Sequence, residues 1–137
     1  MKNTVKKITI ILIILAVVIG TVGARSSLYL NRYSAYLHSG DDSREVVVEY
    51  CVVAKKAVDS LGVYQISIKN LNGTTEKNIY GSTRNGLVAE DTYQLNGRYS
   101  VTLPNRGEYY AEVTLFAGDS SGYDYSDPVV TDIVTVN

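Results

Sequence analysis

Leu103-Pro104-Asn105-Arg106-Gly107-Glu108-Tyr109-Tyr110-Ala111-Glu112-Val113-Thr114-Leu115-Phe116-Ala117 reads as a turn followed by a long, regular alternation. In an extended chain Tyr109, Ala111, Val113 and Leu115 share one face, and Tyr110, Glu112, Thr114 and Phe116 share the other. This period of two, carried by β-favouring residue types, predicts a strand over Glu108–Ala117 with its first face toward a core. Pro104-Asn105-Arg106-Gly107 ends the strand before it, in which Tyr99, Val101 and Leu103 alternate.

The same pattern extends in both directions. Upstream, Glu45–Ala54 sets Val46, Val48, Tyr50 and Val52 against Glu45, Val47, Glu49 and Cys51. Val63–Lys69 sets Tyr64, Ile66 and Ile68 against Gln65, Ser67 and Lys69, and Asn72-Gly73 follows as a hairpin-type turn. A first strand is expected over Leu28–Leu37, a partly covered edge suggested by Leu28, Leu30 and Tyr36. Between Thr74 and Thr92, Ile79-Tyr80 suggests a short strand and Asn85-Gly86 a turn. Downstream, Gly118–Pro128 reads as a loop rich in Asp, Ser and Gly, and Val129–Val136 as the last strand. No long segment holds a 3.6-residue period. About seven strands with frequent turn signals predict one antiparallel β-sandwich.

Leu103 lies six residues before Tyr109, and Gly122 and Ser126 follow the long strand. In this the stretch Leu103–Ser126 resembles the E–F corner, F strand and F–G loop of fibronectin type III and related immunoglobulin-like domains. The resemblance implies a tyrosine corner, in which the Tyr109 hydroxyl bonds back across the turn beside Leu103. Ala24-Arg25-Ser26-Ser27-Leu28-Tyr29-Leu30 and Tyr109-Tyr110-Ala111 resemble a family of small exported proteins of Gram-positive bacteria without an assigned activity. That resemblance implies export and fold only.

Residues 1–24 have the pattern of a signal peptide. Lys2, Lys6 and Lys7 precede an apolar run from Ile8 to Ile19, and Val22-Gly23-Ala24 supplies small residues at a cleavage site between Ala24 and Arg25. The run is 12 residues long, short for a membrane span. Cleavage is expected, with an uncleaved membrane anchor as the alternative. Neither a lipid-attachment cysteine nor an LPxTG pattern is present. Removing the segment leaves residues 25–137 as a single β-sandwich domain with 10 basic and 14 acidic residues. This acidic balance, with its basic residues scattered, argues against nucleic-acid binding.

The residues for chemistry are sparse. Cys51 is the only cysteine and His38 the only histidine, which is poor material for a disulfide, a zinc site or a nucleophile–base pair. Cys51 reads best as a small hydrophobe within a strand. No catalytic residue, cofactor or metal is expected. Asp119, Asp124 and Asp127 offer oxygen ligands for calcium, but their spacing is not that of an EF-hand and also suits a solvated turn. Asn72-Gly73-Thr74 fits a glycosylation pattern, although a turn accounts for it.

Tyrosine is the compositional excess, with 12 Tyr against one Phe and no Trp. Alternation predicts Tyr64, Tyr99 and Tyr109 in the core, and Tyr29, Tyr33, Tyr110, Tyr123 and Tyr125 outside it. Exposed tyrosines suit recognition of protein or glycan, and for any one of them cross-strand pairing on a wet sheet face is the simpler account. Tyr123 and Tyr125, interleaved with Asp124 and Asp127, are the expected ligand contacts. The expected function is therefore a secreted, non-enzymatic binding or surface-interaction module. The alternatives are a carbohydrate- or cell-wall-binding accessory protein and a self-associating envelope component.

Overall fold

The computed structural model describes residues 27–137. The expected signal segment and the Ala24–Arg25 junction lie outside the described residues. The described chain is all-β, with eight strands in one antiparallel sheet: β1 (Leu30–Ser39), β2 (Glu45–Asn70), β3 (Thr75–Tyr80), β4 (Val88–Thr102), β5 (Gly107–Asp119), β6 (Gly122–Tyr125), β7 (Val129–Val130) and β8 (Val134–Val136).

The 26-residue β2 organises everything else. Its first half runs between β1 and the second half of β4, with Val48 opposite both Leu37 and Tyr99. Its second half runs between β3 and β5, with Ile66 opposite both Ile79 and Val113. A register shift between Val53 and Val58 marks the changeover. The two segments expected as separate strands are thus one, because Lys55-Lys56-Ala57 contains no Gly or Pro to break the extended chain.

Both halves bury one face in the same core. Val46, Val48 and Val52 from the first half join Ile66 and Ile68 from the second, Ala111, Val113 and Leu115 from β5, and Ala35 and Leu37 from β1. β1 also passes within 8 Å of β5, β7 and β8, although it pairs with none of them. A Leu in this cluster is worth roughly 2–5 kcal/mol on truncation.

Several faces differ from expectation. Tyr64 is 47% exposed, because a bulge between Val63 and Gln65 resets the alternation, leaving Val63, Ile66 and Ile68 inside. Leu28 is exposed in a bend before β1, and along β1 Tyr36 is exposed while Leu30, Ala35 and Leu37 are buried, a switch of parity made by the bulge between Leu30 and Arg32. Tyr29 is buried. The stretch from Gly118 is a hairpin, with Asp119 and Gly122 paired across Ser120-Ser121 and β6 running to Tyr125.

The last strand is broken, and two hydroxyls repair the break. Leu115 N–H donates to Ser126 Oγ at 2.9 Å, and Ala111 N–H donates to Thr131 Oγ1 at 2.9 Å. Ser126 N–H and Thr131 N–H return bonds to the carbonyls of Leu115 and Ala111. Around Pro128, these side chains replace the backbone ladder, so β5 keeps its buried donors satisfied.

Candidate functional site

The outer face of β2, β5 and β6 carries an aromatic cluster. The register sets Phe116 opposite Tyr125 and Gly118 opposite Tyr123. The bulge described above turns Tyr64 onto the same face. The Tyr64 and Tyr125 rings meet edge-on, 5.1 Å apart at 77°. Phe116 lies 6.1 Å from Tyr125 at 31° and 6.0 Å from Tyr123 at 53°. All three are favourable aromatic geometries. Phe116 is thereby 9% exposed on a solvent-side position, while Tyr64, Tyr123 and Tyr125 remain about half exposed.

Gly118 gives the cluster its close fit. A Cβ there would stand 2.4 Å from both the Gly122 carbonyl oxygen and Tyr123 Cδ1, so only glycine lets the Tyr123 ring settle across the strand. Tyr123 is therefore a packing residue as well as an exposed one.

Beside the rings runs an uncharged polar strip. Ser67 Oγ donates to Asn78 Oδ1 at 2.6 Å, and Gln65 Nε2 donates to Ser67 Oγ at 3.2 Å and to Asn78 Oδ1 at 3.3 Å. The charged pair on this face is Lys69 with Glu112, whose atoms meet at 3.0 Å.

The structure separates the acidic residues of the hairpin from its tyrosines. Alternation turns Asp124 to the other side, opposite buried Ala117. Its Oδ2 accepts bonds from Ser27 Oγ and Tyr29 N–H, both at 2.6 Å. Burial raises the Asp124 pKa, but the bonds from Ser27, Tyr29, Leu28 and Leu30 outweigh it and hold the carboxyl below its ordinary range. Asp119 Oδ1 accepts from Ser121 N–H and from Tyr29 Oη, both at 2.8 Å. These bonds, the Ser121 amide first, lower the Asp119 pKa, and the Asp119 bond in turn raises that of Tyr29. The two carboxylates thus fasten the start of the described chain and bury Tyr29. Asp127 is exposed next to Pro128. Among the described residues, no group of three or more His, Cys, Asp or Glu is placed to hold a metal ion.

At the opposite end of β5, Tyr109 is buried and its Oη donates to the Asn105 carbonyl at 2.9 Å, beside fully packed Leu103. Burial raises the Tyr109 pKa, helped by the charge of Glu76. Cys51 is a half-buried free thiol in a shallow groove with Ser34, Tyr36, Glu49, Asn96 and Arg98. Glu49 there lies 3.4 Å from His38 and 3.6 Å from Arg98.

Sequence reasoning placed Tyr123 and Tyr125 outside the core, where they are, but did not bring Tyr64 and Phe116 to them. The available signal was Phe116 at a solvent-side position, followed within ten residues by a Tyr-x-Tyr repeat, the pattern of a cross-strand aromatic pair. Comparison with protein-family models and with curated proteins finds no match to this chain.

Proposed function

We propose that this protein is a secreted, non-enzymatic binding module with an immunoglobulin- or fibronectin-III-like sandwich fold, which recognises its partner through Tyr64, Tyr123 and Tyr125. Two layers are supported by the pairing pattern. β1, the first half of β2 and the second half of β4 form one group, while β3, the second half of β2 and β5 with β6–β8 form the other. In that arrangement the tyrosine-corner bond of Tyr109 falls at the start of the F strand. Secretion is supported by the signal pattern of residues 1–24.

The observation that carries the recognition role is a cluster of three half-exposed tyrosines on an outer sheet face, Tyr123 and Tyr125 against buried Phe116 and Tyr64 against Tyr125. Sheets satisfy an outer face with polar and β-branched residues at no risk of aggregation. A contiguous aromatic patch instead marks an interaction surface. The test is affinity capture from the native culture with the parent protein and with Tyr123→Ala/Tyr125→Ala. A partner held by this face should lose about 2 kcal/mol or more of binding energy in the variant. Parental affinity in a folded variant would remove the face from the function.

A further inference from the structure

We infer that the aromatic face takes a neutral, extended polysaccharide of the β-1,4-linked pyranose type, an assignment that rests on the proposed recognition role of that face. The first argument is the pairing of ring with amide. Pyranose rings present apolar C–H faces that stack on aromatic rings, and hydroxyl edges that exchange hydrogen bonds with amides and hydroxyls. Tyr64, Tyr123 and Tyr125 supply the rings, and Gln65, Ser67 and Asn78 supply an adjacent strip of uncharged donors and acceptors.

The second argument is charge. Asp119 and Asp124 direct their carboxylates toward Ser27 and Tyr29, away from the rings. Lys69 and Glu112 neutralise one another in contact. The exposed Glu90, which register places on this face in line with Ser60 and Gly118, adds a negative charge, so the face offers no positive field to draw an anionic polymer.

The third argument is shape. The rings stand on an open sheet surface as a series, Tyr64, Tyr125, Phe116 and Tyr123, with successive centroids 5.1, 6.1 and 6.0 Å apart. An open series of rings at that spacing accommodates successive sugar rings of a flat, extended chain. A coiled α-glucan would present a curved surface to it. Tyr64, edge-on to Tyr125, adds a wall along one side of the platform.

The experiment is retention of the whole protein on microcrystalline cellulose and on chitin, with granular starch and immobilised heparin as comparisons. Retention is expected on cellulose or chitin, and it should persist at about 1 M salt, where charge attraction is screened within about 3 Å. Tyr64→Ser and Tyr125→Ser should each weaken it about tenfold at parental melting temperature. Tyr125→Phe keeps the ring and should stay near parental. Tyr36→Ser, on the other half of the sheet, should change nothing. If Tyr125→Ser melts early, Tyr125→Trp replaces it and should tighten retention.

Failure to bind either β-1,4 glycan overturns the assignment, as does release by salt, preference for heparin or starch, or retention indifferent to Tyr64 and Tyr125. If glycans fail but a protein from the native culture is captured in a Tyr125-dependent way, the glycan assignment falls and the recognition face stands. If neither ligand depends on these tyrosines, both fall.

Discussion

Replacing Tyr109 by Phe removes one oxygen from the core boundary and leaves the ring in place. The ring is 3% exposed, and the lost hydroxyl donates at 2.9 Å to the Asn105 carbonyl. A neutral hydrogen bond of this kind contributes about 0.5–1.5 kcal/mol net, with a higher cost where the abandoned acceptor is sealed from water. Asn105 sits on an exposed turn, so water can take over its carbonyl, and the middle of the range applies. The expected loss is about 1 kcal/mol, or about 4 °C in Tm for a domain of this size. Tyr110→Phe, on the opposite face, should fall within about 0.5 kcal/mol of the parent. Tyr109→Ala should cost about 3–5 kcal/mol, since it also empties a ring-sized space beside Leu103. Urea unfolding followed by circular dichroism separates the three, provided the m-value stays constant. A Tyr109→Phe variant as stable as the parent, or a Tyr110→Phe variant equally destabilised, would refute the corner's energetic role.

The hydroxyls that mend the broken last strand should be individually costly. Ser126→Ala and Thr131→Val each leave a buried β5 amide without its acceptor and should lose about 1–3 kcal/mol in the same urea assay. The folded-state pKa values of Asp119 and Asp124 lie below the ordinary 3.8, so the stability they confer is present above that pH and lost as pH falls through their folded values. The Tm should therefore drop below about pH 4, and Asp119→Asn/Asp124→Asn should flatten that limb. Tyr29, Tyr50 and Tyr109, raised above 10.0, give the opposite limb: stability holds below pH 10.0 and is lost as pH rises through their folded values. Intact-mass analysis of the culture supernatant should find a chain beginning at Arg25. Full-length protein confined to membranes would reverse the reading of residues 1–24 as a cleaved signal.

Legibility in the sequence followed the distance over which each signal acts. The alternation in β5 depends only on neighbours two apart, and Tyr109, Ala111, Val113 and Leu115 are buried as read. Tyr64 escaped because a bulge changes the count by one, and nothing in Gly62-Val63-Tyr64-Gln65 announces it except the glycine. The β5–β6 hairpin escaped because Ser120-Ser121 lacks the Asn-Gly signature of a two-residue turn. Its geometry is held instead by Asp119 Oδ1 on the Ser121 amide. The burial of Tyr29 is set by Asp119, 90 residues away, and no local pattern carries that information. The candidate face was half legible for the same reasons: β6 displayed its two tyrosines, whereas Tyr64 and Phe116 join them only through register.

The bonds that fasten the start of β1 also set a timetable. Ser27 and Tyr29 are tied to Asp124 across 97 and 95 residues, and the C-terminal β8 pairs with the beginning of β5. A chain emerging N-terminus first can pair β1 with β2 early, but it can fasten Ser27 and Tyr29 only after almost all of it has been released. Such long-range closure makes for slow folding, on the order of milliseconds to seconds. Were the chain exported as proposed, that delay would be useful: the terminal segments would stay unlocked during passage and fasten only after release.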